Sequence, residues 1–441
     1  MSRRRVATTI AAASLTALVL AACGGENGTN ADTDPGSNGT QNGAAEGEEV
    51  TITWWHNSNN DPGQSFYEQA AEDFMADNPG VTIEITAIAH DDMLTRLDAA
   101  FQTGDHPDIF MERGGGETAS HAEAGLLRDL TDDAADTIGV VEAYTGGYTV
   151  DERVYAIPFT SGVVGFWYNQ DLFEEAGISE TPTTMEEFND TVDALKAADI
   201  EPVSVGAGEG WPAAHYYYYY ALRACAEESV VAAVEQHDFS DACWVSAGEH
   251  LQELIETEPF NEGFLATPAQ TGPTSASGLL ATEQVAMELA GHWEPGVMQG
   301  LMDDNTIGFN LGWFGFPAID GGEGDQGAVL GGGDAWGLNA DAPDAAVDFV
   351  AYLLSDEIQI GFAENDMGLP TNPAASDSVS DEALAELLTT RDEASLVQLY
   401  FDTAFGENIG GAMNEAVVDI FAGQGSPQDV VDAMVDAAAN E

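Results

Sequence analysis

VTITWWHNSNNDPGQSFYEQAAEDFMADNPGVTIEITAIAHDDMLTRLDAAFQTGDHPDIFM, residues 50–111, decides the fold class. Val50 to Trp55 is β-rich. Ser65 to Asp77 carries Phe66, Ala70 and Phe74 at helical spacing before Asn78-Pro79-Gly80 stops the helix. Val81 to Ala87 reads as a second strand, Asp91 to Gln102 as a second helix, and Asp108 to Met111 as a third strand. Strands alternating with helices predict an α/β fold, a mainly parallel sheet with helices on both faces. Ligands in such folds sit beyond the carboxyl ends of the strands, so the loops to watch are His56 to Gly63 and Glu112 to Glu117.

Downstream, a second block opens near Val154-Tyr155-Ala156-Ile157-Pro158-Phe159 and runs through GVVGFWYN into a helix-rich region, 165 to 305. DGGEGDQG (320–327) is a loop, AVLGGGDAWGLNA a glycine-interrupted strand pair, and Ala345 to Leu354 a helix. Proline and glycine clusters at 157–162 and 315–333 punctuate the chain twice, which suits two lobes joined by more than one crossover.

Upstream, residues 1–22 read as a signal peptide. Arg3, Arg4 and Arg5 form a basic head, and Ile10 to Leu20 is too short to span a bilayer. Leu20-Ala21-Ala22-Cys23-Gly24 resembles the bacterial lipobox, which implies lipidation at Cys23; whether export is Sec or twin-arginine stays open. Residues 23–49 hold almost nothing that can be buried and read as a disordered tether. The expected location is the extracellular face of the cytoplasmic membrane, reached through a lipid anchor.

Beyond the leader the chain has one lysine, Lys196, and six arginines against 78 acidic residues. Such a surface repels nucleic acid, anionic lipid and anionic substrates. Self-repulsion on this scale is relieved by salt, which points to a saline extracellular habitat. Cys225 and Cys243 remain once Cys23 is assigned to lipid, and in an exported protein the pair is expected to be a disulfide.

Several chemistries are excluded. Lys196 is followed by Ala197 rather than Ser or Thr, so there is no nucleotide-binding Walker A loop. No H-E-x-x-H and no G-x-S-x-G occur. Paired carboxylates carry no information at this acid density, and Asp320, Glu323 and Asp325 depart from EF-hand spacing and read as a solvated loop. No metal, no cofactor and no catalytic residue is expected.

The positive signal is aromatic. Trp54 and Trp55, Trp211, Trp293, Trp313 and Trp336 lie in loops or at element ends, where an indole face suits the C–H face of a pyranose. Polar neighbours that can orient a ligand are His56, Asn57, Glu209, His292, Glu294 and Asp334.

With these residues in view, the chain from about 50 to 435 resembles the carbohydrate-type extracellular solute-binding proteins, family 1, the capturing subunits of ABC importers. ITWWHN, LDAAFQTGDHPDIF, VYAIPFTSGVVGFWYNQDLFEEAGI, EQVAMELAGHWEPG and GGGDAWGLNADAPDAAVDFVAYLLSDEIQ carry the resemblance. It implies a two-lobe α/β periplasmic-binding-protein-like fold of the type II, maltose-binding-protein-like kind, with a ligand cleft between the lobes. The first lobe is placed at 50–158 plus about 325–365, and the second at 159–320 plus about 366–441. By position, the cleft is expected to be lined by Trp54, Trp55, His56, Asn57, Arg113, Gly114, Phe159, Thr160, Trp211, Tyr216, His292, Trp293, Asp334 and Trp336. The implied ligand is a neutral sugar, an oligosaccharide in preference to a monosaccharide. The implied partners are permease subunits with separate ATPases, and a monomer is expected. A secreted glycosidase and a binder of a non-sugar solute, a peptide or a polyamine, are the competing readings.

Pro212 suits the first turn of a helix, so Tyr216 to Tyr220 point all the way round it. Trp211 and one or two of these tyrosines are expected to face the cleft, with the rest packed in the second lobe.

Overall fold

The computed structural model describes residues 49–440. The signal peptide, the lipidation at Cys23 and the tether up to residue 48 lie outside the described residues.

A five-stranded sheet forms the first lobe, in the order Val81–Ala87, Val50–His56, Ile109–Glu112, Ala335–Leu338, Ala156–Pro158. Its first three strands are parallel, as the βαβ pattern predicts; Ala335–Leu338, reached only when the chain returns from the other lobe, runs antiparallel to both its neighbours, Ile109–Glu112 and Ala156–Pro158. The intervening helices, Gly63–Asp77 and His90–Thr103, bury Tyr67, Ala70, Phe74, Met93 and Leu97. Both ends follow local chemistry. Asn78 donates its backbone N–H to Phe74, and Gly104 adopts the left-handed conformation that ends the second helix.

The second lobe holds a four-stranded sheet in the order Leu311–Gly315, Gly165–Asn169, Val285–Ala290, Glu201–Ser204. Beside it a small sheet joins Val397–Leu399, Val329–Gly332 and Gly162–Val163. The glycine-interrupted pair at 328–340 is thus divided between lobes: Val329–Gly332 joins the small sheet and Ala335–Leu338 the five-stranded one. Separate cores match this division, one around Ile52, Trp54, Ile109 and Phe349, another around Phe166, Phe188, Trp244 and Met413.

The tyrosine helix, Trp211–Ala224, runs through the second core. All five tyrosines are at most 1% exposed, and none lines the cavity between the lobes, contrary to the expectation that one or two face the cleft. The polar tips explain how the core takes so many phenols. Tyr217 donates to the Trp244 carbonyl at 2.9 Å, Tyr218 to Asn414, Tyr219 to the Val164 carbonyl and Tyr220 to the Met185 sulfur at 3.8 Å. Cys225, directly after this helix, is disulfide-bonded to Cys243. No helix among the described residues is long and apolar enough to cross a membrane.

Candidate functional site

A cavity of about 210 Å³ lies between the lobes. The first lobe supplies the loop from Asn57 to Gly63, then His90, Arg113 just beyond strand Ile109–Glu112, and Asp334 just before strand Ala335–Leu338. Phe159 and Thr160, at a crossover, form part of its wall. From the second lobe come Trp211 and His215 on the first turns of the tyrosine helix, His292 and Trp293 beyond strand Val285–Ala290, and Tyr400 and Asp402 after strand Val397–Leu399.

These second-lobe rings form one continuous aromatic wall. Trp211 meets His215 at 5.2 Å and Trp293 at 6.1 Å, both edge-on, while His215 stacks on Tyr400 at 5.4 Å. Trp293 closes the circuit to Tyr400 at 6.3 Å. Gly210, at φ +83°, turns the chain so that Trp211 can begin the helix at the cavity.

Hydrogen bonding fixes the crossover. Thr160 Oγ1 donates to the Leu369 carbonyl at 2.8 Å, so the 2.9 Å contact with His292 has Nε2–H donating to Oγ1. His292 Nδ1 is thereby left as a bare acceptor with no protein partner. Gly162 allows this placement, because any Cβ there would overlap the His292 ring.

Burial drives the titrating groups of the cavity towards neutrality. His215 falls to about 4 and His292 to about 3, each by desolvation, so both are uncharged at neutral pH. His90 is lowered too, chiefly by burial, and its Nδ1 faces Asn57 Nδ2 at 3.3 Å. Asp334 rises to about 7 through burial, with Arg113 pulling it down and Glu117 pushing it up. Arg113 is the one cavity residue with a fixed positive charge, and it is already engaged: it donates to Glu117 and lies 3.8 Å from Asp402 across the cleft. The same residues leave several polar atoms unpartnered by protein: Trp211 Nε1, Trp293 Nε1, His215 Nδ1, His292 Nδ1, Tyr400 OH and Arg113 Nε.

The cavity unites Asn57, Arg113, Phe159, Thr160, Trp211, His292, Trp293 and Asp334 from the expected set. The remaining six stand elsewhere, and strand geometry explains most of it. Trp54 and His56 share one face of the first strand and point into the first core, both fully buried; Trp54 packs edge-on against Tyr67, Trp336 and Phe349. Trp55 points to the opposite face, under Arg96. Trp336 is 1% exposed behind Phe159, Tyr216 packs against Phe260 and Phe316, and Gly114 is not part of the lining. His90, His215, Tyr400 and Asp402 were not anticipated. His215 alone carried a local signal, since it follows Trp211 by one helical turn.

The chain belongs to the family described as bacterial extracellular solute-binding protein, whose model matches residues 57–360. The multiple sugar-binding protein of Streptococcus mutans is 29% identical over 141 residues, 32% of this chain. That match spans only 33% of the relative's own length. The diacetylchitobiose binding protein DasA of Streptomyces coelicolor is 26% identical over 383 residues, 83% of this chain and 82% of that one. A solved chain from work on xylan utilisation by Caldanaerobius polysaccharolyticus superposes with a TM-score of 0.80 at 22% identity, covering 87% of this chain and 99% of that one. This shared fold is the two-lobe α/β architecture described above.

Proposed function

We propose that this protein captures a neutral sugar, an oligosaccharide by preference, in the interlobe cavity and delivers it unaltered to the permease of an ABC importer. The observation that carries the reading is the aromatic wall Trp211–His215–Trp293–Tyr400, whose ring edges bear polar atoms that the protein leaves unpartnered. Flat apolar faces edged with unsatisfied donors and acceptors match the C–H faces and hydroxyls of a pyranose, and an unpaired buried polar atom costs about 1–3 kcal/mol until something pairs it. Charge favours a neutral ligand: Arg113 is engaged by Glu117 and Asp402, and the histidines are uncharged.

The relatives' names, multiple sugar-binding protein and diacetylchitobiose binding protein, support a saccharide over a peptide or polyamine. Within the same reading, Asn57, Arg113, Phe159, Thr160, Trp211, His292, Trp293 and Asp334 are the ligand contacts, Cys23 carries the lipid anchor, and the protein works as a monomer outside the cytoplasmic membrane. A sugar touching both lobes favours the closed form by its differential affinity. Isothermal titration against a panel containing maltose, lactose, xylobiose and diacetylchitobiose tests this. One-to-one binding with the sugar recovered intact is expected; released product means a glycosidase, and heat from peptides or polyamines alone means another solute.

A further inference from the structure

The lobes touch backbone to backbone on two sides of the cavity, each time at a pair of glycines. On one side Gly115 and Gly116 open the helix Gly115–Glu123 of the first lobe. A Cβ on Gly115 would stand 2.8 Å from the Thr403 carbonyl oxygen, and one on Gly116 would stand 2.8 Å from the backbone nitrogen of Gly406. Thr403 and Gly406 flank Ala404 and Phe405, which belong to the second core. On the other side Gly296 and Gly300 lie one turn apart on the second-lobe helix Glu294–Leu301 and so share a face. A Cβ on Gly300 would meet the Asp61 carbonyl oxygen at 2.9 Å, and one on Gly296 the Asp366 carbonyl oxygen at 3.1 Å. Asp61 lies on the loop after the first strand, and Met367, beside Asp366, packs on the first core.

Resting on the sugar-capture reading above, we infer that these two glycine seams are positioning elements that set how closely the lobes shut on the ligand. A Cβ at 2.8 or 2.9 Å from facing backbone has to be accommodated by a shift, so alanine at Gly116 or Gly300 pushes the facing backbones of the two lobes apart. A ligand that must bridge both walls then loses contact with one of them, and the loss falls on residence time more than on encounter. A polar contact reinforces the first seam. Arg113 faces Asp402 across it at 3.8 Å.

The test uses the full-length protein with Gly116→Ala and Gly300→Ala, read by sugar dissociation rate and by small-angle scattering at saturating sugar. Alanine favours helix over glycine by about 1 kcal/mol, so neither change weakens its own helix. Gly115 is avoided because its φ of +60° would strain any other residue. Gly411→Ala, where an added Cβ meets nothing within 4 Å, is the control. With the panel sugar bound most tightly by the wild type, each seam variant should release ligand about tenfold faster and compact less on saturation, while the control matches the wild type. Wild-type binding matched by both seam variants in rate and compaction overturns the seams alone. A wild type that takes none of the sugars overturns the functional reading and the inference with it.

Discussion

Phe159 lies flat against Trp336, ring centroids 4.2 Å apart and planes 11° from parallel. One face of this pair belongs to the cavity and the other to the first core: Phe159 lines the wall, while Trp336 packs edge-on against Trp54 and Tyr67. Indole rings near strand ends therefore divide into two classes with separable phenotypes. Trp54→Ala and Trp336→Ala should each cost about 3–5 kcal/mol in urea unfolding, the usual cost of emptying a buried aromatic site. Trp54→Ala should leave sugar affinity of the folded fraction unchanged, whereas Phe159→Ala should weaken it. Equal loss of affinity in Trp54→Ala would put that ring back among the ligand contacts.

Trp211 and Trp293 face each other across the second-lobe wall at 6.1 Å, each with an indole N–H that no protein acceptor takes. Removing either breaks the aromatic circuit and strips one face from the sugar. Trp211→Ala and Trp293→Ala are each expected to lower affinity at least tenfold, about 1.4 kcal/mol, with little change in unfolding midpoint. Titration calorimetry reads both, and undiminished binding in the two variants would move the site elsewhere.

How much of this was legible in the sequence follows from which signals are local. Element type was: the β-rich run at Val50–Trp55 and the helical spacing of Phe66, Ala70 and Phe74 depend on neighbours alone. Which face of a strand looks outward was not, because Trp54 and Trp55 have the same chemistry and only the sheet's partners decide that Trp54 goes inward. The tyrosine run misled for a related reason. A helix buried all round has no polar face to mark its orientation, and the phenols of Tyr217 to Tyr220 find acceptors on distant segments such as Trp244 and Asn414. Tyr400 and Asp402 come to the cavity from almost 300 residues beyond Arg113, a meeting that no local pattern encodes.

Net charge of −68 puts long-range repulsion over the whole surface, with only Lys196 and a few arginines to offset it. Arg128, which pairs with Asp133 and Asp344, and Arg153, which pairs with Asp129, relieve it only locally. Raising ionic strength shortens the Debye length from about 30 Å at 0.01 M to about 3 Å at 1 M. The melting temperature should therefore climb steadily between those salt concentrations, and a flat profile in scanning calorimetry would refute self-repulsion as a major cost of folding.

Glu288 and Glu294 provide a test in pH. Both are buried, 5% and 0% exposed, and for Glu294 burial outweighs the Ser277 hydroxyl, which favours the ionised form. Burial raises Glu294 to about 8, and burial together with Glu294 holds Glu288 well above the carboxylate range. In the unfolded chain both titrate near 4.5, so between that value and 8 the native state holds more protons than the unfolded one. The linkage sign is then fixed: the stability these groups contribute is complete below about pH 4.5 and is lost as pH rises through about 8. His56, His90, His215 and His292, lowered by burial, act in the opposite sense as the unfolded imidazoles lose their protons around 6.5. From pH 7 to 8 those imidazoles are mostly neutral in both states, a window in which Asp334, raised to about 7, acts in the same sense as the two glutamates. Across it the unfolding free energy of the wild type should fall with pH, and Glu294→Gln, which holds no exchangeable charge, should flatten that fall by up to about 1.4 kcal/mol per pH unit. Urea melts at four pH values measure both slopes; parallel lines for wild type and variant would mean that Glu294 is already ionised in the folded protein.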